Sequence, residues 1–495
     1  MDDFAQQLAI NPPLPGGSPW YHYRYSDHGF FAQDQWRILR SLSLTYGFRY
    51  ELPRNPADDL RRNNQPIVDA AGGDPRFAVS ALPARDLRDW APRFGFSYQF
   101  PHAGWLGRLF GENKSVLRGG YARAYDHLFN AAFLGQDQFG SFPFVKSVSL
   151  SAVPNALSAL TVAAVSPITG NVNTLKCGVL AADLRSSHAE QFSLQLQRQL
   201  KTNWVLNIGY VGTKGTALLA NVDGNPTVPG SGGRQRVDPA QGVVVLRCNC
   251  TSSIYHSLQT SVEKRLAGGF SMAAHYTWSS FIDGQSDIVN PSPTGEIAFP
   301  QDSFNRGADR GRSAFDRPHR FTVNGVFELP VRPERKDALG KLFSGWQATA
   351  FLTLQSGAPF SVLDGADPGL RLAGLISTVR ANVNTDLDLA HMSLEEIYRA
   401  GGMRLFSHVT AASPLGNMGR NVLRSSPVSN LDFGIVKNTR FAETHTLQFR
   451  AEFYDATNTR NFGIPDAALT SANFLNQWAT DGGSRRIVFG LRYAF

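Results

Sequence analysis

"QFSLQLQRQL", residues 191–200, sets Phe192, Leu194, Leu196 and Leu200 against Gln191, Ser193, Gln195, Gln197 and Gln199. Alternation with a period of two marks an extended strand with one apolar and one polar face, because successive side chains point to opposite sides. The pattern recurs in "SLTYGFRYE" (43–51), where Leu44, Tyr46, Phe48 and Tyr50 oppose Ser43, Thr45, Gly47, Arg49 and Glu51. It returns in "HTLQFRAEF" (445–453), where Leu447, Phe449, Ala451 and Phe453 oppose Thr446, Gln448, Arg450 and Glu452. A soluble sandwich also alternates, with its apolar face turned inward. The spacing between strands separates the two architectures.

Strands are expected near 28–39, 42–52, 92–100, 115–125, 189–200, 203–213, 254–266, 269–282, 318–329, 345–357, 429–441, 445–457 and 485–495. Short links such as 40–41, 201–203, 267–269 and 442–445 follow odd strands, and the long segments 53–91, 126–188, 214–253, 283–317, 358–428 and 458–484 follow even ones. Long Gly/Pro-rich connections of that kind are uncommon in compact soluble domains. Tight turns at one end and long loops at the other describe an all-β, antiparallel transmembrane β-barrel with short periplasmic turns and long extracellular loops. The rival reading is a soluble all-β carbohydrate-binding module.

Charge placement favours the barrel. A Lys or Arg on the lipid face costs about 2–4 kcal/mol at mid-membrane and little near the interface. The exceptions on apolar faces, Arg198 and Lys264, each lie two residues from a short turn, where a long side chain can reach the headgroups. Trp204, Tyr276, Trp278, Trp346 and Tyr493 are candidates for aromatic girdles. No run of about 18 apolar residues is present, which rules out a transmembrane helix and leaves a spanning strand open. The opening "MDDFAQQLAI" lacks the basic and apolar regions of a signal peptide and, taken literally, predicts a cytosolic protein.

Motifs for other chemistries are weak. The net charge of +8 is spread along the chain with no basic helix or nucleic-acid motif, so no nucleic-acid partner is expected. "CNC" (248–250) is too tight for a zinc pair, and Cys177, Cys248 and Cys250 read as loop cysteines with at most one bridge. "GTKG" (212–215) reads as a turn and lacks the rest of a phosphate-binding loop. "NVNTDLD" (382–388) alternates Asn382, Asn384, Asp386 and Asp388 but lacks the glycine and terminal glutamate of a calcium loop; a solvated loop is expected. "SLEEIYRAGG" (393–402) carries a capping box, Ser393 to Glu396, and a double-glycine stop, predicting a short helix. "DRPHRF" (316–321) gathers Asp316, Arg317, His319 and Arg320 where a long loop enters a strand, and pairing at the barrel rim is expected there, not catalysis. Arg49, Glu51, Arg450 and Glu452 are expected to face the lumen. No catalytic, cofactor-binding or metal-binding residue is predicted.

Several stretches resemble the barrel of TonB-dependent outer-membrane receptors, specifically the Oar-like group. They are "FFAQDQWRILRSLSLTYGFRYE" (30–51), "KSVLRGGYARAYD" (114–126), "YHSLQTSVEKRLAGGFSMAAHYTWSSFID" (255–283), "RGRSAFDRPHRFTVNGVFELP" (310–330), "GWQATAFLTLQSGAPFSV" (345–362) and "GNMGRNVLRSSPVSNLDFGIVKNTRF" (416–441), the last continuing into "LQFRAEFYDATNTRNFGIPD" (447–466). The resemblance implies an outer-membrane location and a barrel of about 22 strands, filled by a plug that contacts TonB. It implies that residues 28–495 are the C-terminal portion of that barrel, with 1–27 the remnant of an extracellular loop and the plug outside this chain. In the final "RIVFGLRYAF" (486–495), Ile487, Phe489, Leu491 and Tyr493 would face lipid, and with terminal Phe495 they resemble the signal read by the barrel-assembly machinery. The expected function is TonB-dependent uptake of a solute, with a plugless passive pore or an adhesion barrel as the alternative.

Overall fold

The computed structural model describes residues 6–10, 24, 26–53, 57–78, 86–101, 105–111, 113–127, 146–150, 177–287, 299–329, 338–372, 378–441, 445–477 and 483–495. Thirteen long strands form one antiparallel meander in chain order. They are β1 (Asp27–Leu39), β2 (Leu42–Pro53), β3 (Trp90–Gln99), β4 (Ser115–Asp126), β5 (Ser187–Lys201), β6 (Trp204–Asp223) and β7 (Val244–Ala267). The series continues with β8 (Phe270–Asp283), β9 (His319–Glu328), β10 (Trp346–Gln355), β11 (Val428–Arg440), β12 (Thr446–Tyr454) and β13 (Arg486–Ala494). Every expected strand is present, in the expected order. The expected extracellular-loop segment 1–27 falls largely outside the described residues, as does most of the link at 442–445.

The register joins the alternating faces into two continuous surfaces. Leu44, Phe96, Gly119, Leu194, Tyr210, Leu258, Trp278 and His319 oppose one another across eight successive strands. Farther along, Ala350, Phe433, Phe453 and Ile487 form a similar row. One residue over, Thr45, Gly95, Gly120, Ser193, Val211, Ser257 and Ser279 line the opposite, mainly polar face. Nothing packs over the apolar surface among the described residues: Phe30 is 60%, Phe489 66% and Leu491 72% exposed. In water such a patch would drive aggregation, whereas in a bilayer it is the lipid contact. This outward apolar face overturns the soluble reading.

The turn end shows why the hairpins are tight there. Gly268 and Gly269, at φ +64° and +75°, link β7 to β8. A two-residue hairpin turn of this hand needs positive φ at both positions, which glycine adopts without strain. Two links at this end are longer than tight turns, as the expected strand bounds imply. The segment between β3 and β4 holds the helix α1 (Trp105–Phe110), and the one between β9 and β10 holds α2 (Ala338–Phe343). Arg198 reaches the α1 link, donating from Nη1 to the Leu109 carbonyl at 3.3 Å, and Lys264 donates from Nζ to the carbonyls of Ala267 at 2.9 Å and Phe270 at 2.5 Å. Both expected exceptions therefore end on turn carbonyls.

Other charges share the apolar face, among them the Arg123–Glu190 pair at the loop end of β4 and β5. Lys437, opposite Trp346, donates to the Ser344 carbonyl at 2.6 Å and follows the same rule. Asp34 breaks it: it lies mid-strand in β1, where its carboxylate accepts the Tyr46 hydroxyl at 3.0 Å.

The long loops are not loose. The hairpin of β6 and β7 runs ten residues past the expected ends 213 and 254, and its outer part is buried at Ala217, Leu219, Val222 and Val244. Residues from the β10–β11 and β12–β13 connections share one hydrophobic core, with Phe360, Val362, Ala381, Ile397 and Leu423 at 0% exposure. The predicted helix is α3 (Leu394–Ala400): Ser393 Oγ accepts from the Glu396 amide, Glu396 Oε2 accepts from the Ser393 amide at 2.7 Å, and Gly401 ends it. Ile397 of α3 points into the shared core. The loop end is therefore a folded layer over the mouth of the barrel wall.

Candidate functional site

The outer mouth concentrates the buried polar groups. Inside the rim, Glu51 at the end of β2 pairs with Arg49 and accepts from His127 Nε2 at 2.8 Å. The other ring nitrogen of His127 lies 3.1 Å from Ser186 Oγ and 3.5 Å from Asp89 Oδ2, and Ser186 donates to Asp89 at 2.7 Å. Ser, His and carboxylates thus meet, yet the geometry is not that of an activated nucleophile. The serine proton points at Asp89, and both imidazole nitrogens face oxygen atoms, so the ring serves both carboxylates only with two N–H groups. Burial pushes the Asp89 carboxyl up, with the Ser186 hydrogen bond and the nearby His127 pulling it back. The cluster ties the starts of β3 and β5 to the ends of β2 and β4. Of its members, the sequence had singled out only Arg49 and Glu51, because the others are loop residues joined across 38 to 97 positions.

"DRPHRF" divides between both faces of the sheet. Asp316 is buried, pairs with Arg424 and accepts the Phe281 amide at 2.8 Å. Arg317 donates to the carbonyls of Ala314 and Asp316 at 3.0 and 2.9 Å. His319 faces outward and its Nδ1 lies 2.9 Å from the Tyr276 hydroxyl. Arg320 stands on the inward face between Thr277 and Gln355. The four residues therefore do not converge on one point where a substrate could sit.

Three more arginines anchor the loop layer. Arg420 is 6% exposed, donates to the carbonyls of Asp309 and Asp283 at 2.7 Å each, and pairs with the Asp283 carboxylate. Arg380 pairs with Asp309, whose carboxyl burial pushes up while the guanidinium pulls it back. Arg371 pairs with Asp302 at 3.1 Å. Charges removed from water in this way persist only when paired and hydrogen-bonded, as here.

The remaining candidates are dispersed. Arg450 and Glu452 lie on the inward face of β12 without touching each other: Arg450 donates to Gln448 Oε1 at 2.8 Å, and Glu452 accepts from the Tyr454 hydroxyl at 3.3 Å. On β13, Ile487, Phe489, Leu491 and Tyr493 all face outward, Phe489 stacks on Phe449 at 6.2 Å, and Phe495 stacks on Tyr493 at 5.7 Å. Tyr–His pairs stud the outward face. Tyr210 meets His256 at 2.6 Å, Tyr276 meets His319 at 2.9 Å, and Tyr493 meets His445 at 2.6 Å. Cys248 and Cys250 are bridged to each other and lie within β7, not in a loop. In "NVNTDLD", Asp388 caps a helical turn and pairs with His391 at 2.7 Å, which lowers its pKa.

The family model described as outer membrane beta barrel domain matches residues 15–488. No curated protein matches the chain in sequence. Among solved structures, the outer membrane transporter YddB from Escherichia coli is similar at 12% identity and TM-score 0.49, over 95% of this chain and 45% of that one. A mutant ferric enterobactin receptor PfeA from Pseudomonas aeruginosa is similar at 12% identity and TM-score 0.45, over 99% of this chain and 50% of that one. The siderophore receptor PirA from Acinetobacter baumannii is similar at 11% identity and TM-score 0.44, over 95% and 46%. The chain thus spans about half the length of these structures.

Proposed function

The chain belongs to the outer membrane beta barrel domain family and resides in the outer membrane, and on that premise we propose that it forms part of a TonB-dependent, Oar-like receptor for solute uptake. The observation that carries this reading is the folded layer of loops, held by buried arginine–aspartate pairs over one end of a wall that is apolar outside and polar inside. A layer with its own core can form a fixed binding surface above a passage, which a bare pore does not need. In this proposal residues 28–495 supply thirteen strands of a barrel of about 22. The remaining strands and the TonB-contacting plug come from outside this chain, residues 1–27 belong to an extracellular loop, and the barrel-assembly machinery reads the strand that ends at Phe495. Arg49, Glu51, Arg450 and Glu452 face that plug or the solute path. The chain has no catalytic role.

The test is solute depletion. Cells that make the complete receptor and cells that lack it are grown in defined medium, in TonB-competent and TonB-deficient backgrounds, and the medium is profiled by mass spectrometry. Uptake is expected only where both are present. Depletion that persists without TonB points to a passive pore and overturns the proposal.

A further inference from the structure

Where β6 and β7 rise past the membrane band, a cavity of about 440 Å³ opens between their outer hairpin and the segment that precedes β9. That size suits a small organic ligand. Among the described residues its wall holds two guanidinium groups, Arg306 and Arg310, and no carboxylate. The acids nearby are already matched: Asp283 with Arg420, Asp302 with Arg371, and Asp309 with Arg380. Among the described residues neither Arg306 nor Arg310 has an ion pair. Among the described residues the Arg310 guanidinium donates to Ser252 Oγ at 3.3 Å and the Arg306 guanidinium reaches Cys248 Sγ at 3.8 Å.

One further group faces this cavity. The Phe304 ring supplies an apolar flank, held in place by the Arg371 guanidinium 5.6 Å away. Two unmatched cations and an aromatic face define the complement of an anion on a flat apolar body. We propose that this cavity binds an organic anion. Arg306 and Arg310 hold its phosphate or carboxylate through paired N–H donors, as the planar guanidinium does best, and Phe304 packs against its body. The site deepens the uptake reading, and it rests on that reading only for the claim that such an anion is carried inward.

The experiment is equilibrium binding to the full chain in detergent micelles at low salt, its folded state checked by heat-modifiable migration. The probes are 1-naphthyl phosphate, neutral 1-naphthalenemethanol and inorganic phosphate. Naphthyl phosphate is expected to bind saturably, with the alcohol and inorganic phosphate each weaker by about tenfold or more, as loss of a charged contact or of the apolar one predicts. The double variant Arg306→Gln/Arg310→Gln should lose about tenfold, and Arg306→Lys/Arg310→Lys should fall between it and the wild type, keeping the charge but losing the paired donors. In the wild-type chain, naphthyl phosphate should slow phenylglyoxal labelling of Arg306 and Arg310, read by peptide mass spectrometry. No saturable binding, equal affinity of the glutamine variant, or labelling that ignores the ligand would each overturn the site. Binding at equilibrium needs neither TonB nor passage. A failed titration therefore removes the site and leaves the uptake reading, whereas depletion without TonB does the reverse.

Discussion

Leu352 offers a direct measurement of which face meets lipid. It is flanked by Val323 and Leu431 on the outward surface, six residues along β10 from Trp346 near the turn end. At about 3.4 Å per residue those six steps cover roughly 20 Å of strand. A tilt near 45° reduces this to about 14 Å along the membrane normal, close to the middle of an apolar band about 25 Å tall. Leu352→Arg should therefore carry nearly the full mid-membrane penalty of about 2–4 kcal/mol, a shift of roughly 30- to 1,000-fold in the folding equilibrium. Thr353, the next residue, faces inward between Thr322 and Asn430. Thr353→Arg should cost about 0.5 kcal/mol or less, as for an ordinary wetted surface. Both variants are followed by guanidinium titration in phospholipid vesicles, with heat-modifiable migration reporting the folded fraction. Equal penalties, or a larger one at Thr353, would refute the assignment of faces on which everything else rests.

The loop layer and the termini give three more tests. Arg420→Ala strands the buried Asp283 carboxylate, a loss of about 3–5 kcal/mol for a broken buried pair, confined to the junction of layer and barrel. Proteolysis should then reach 356–427 while the barrel keeps its heat-modifiable migration; loss of both together would contradict a separately cored layer. Glu396 has its carboxyl lowered by the Ser393 amide and hydroxyl. Its contribution to the α3 cap is therefore present above its ordinary value of 4.5 and is lost as pH falls through the depressed one. Carbon-13 NMR should find Glu396 titrating below 4.5 and Ser393→Ala moving it up. Finally, Phe495→Ala should lower the amount of folded protein in the outer-membrane fraction severalfold; an unchanged level would remove Phe495 from any assembly signal.

The barrel wall was largely legible because alternation is local: each strand declares both faces within ten residues, and the oily and polar rows needed only correct pairing. What escaped was everything built by distant pairs. Phe360, Ile397 and Leu469 share a core across more than a hundred positions, so the segments containing them read as loops. The outer halves of β6 and β7 were missed for a related reason. Both faces of that hairpin are covered by the layer, so the alternation that marks a lipid-facing strand fades after Gly212. The rim cluster around His127 and the pairs of Arg371, Arg380 and Arg420 likewise join residues that no short motif connects. Asp34 was overlooked because a single acid scarcely disturbs an otherwise apolar face, and its hydrogen-bond partner, the Tyr46 hydroxyl, comes from the next strand.

The parity of the meander constrains how its edges can close. Thirteen strands that alternate in direction leave β1 and β13 running the same way. Joined edge to edge, they would meet in parallel, against the grain of every other long pair in the wall. A two-fold dimer that joined β13 to β13 would restore antiparallel pairing, but it would place the two loop layers on opposite sides of the membrane. An antiparallel ring with all loop layers on one side therefore needs an odd number of additional strands between β13 and β1. The nine strands that a barrel of about 22 would add satisfy this condition; eight or ten would not.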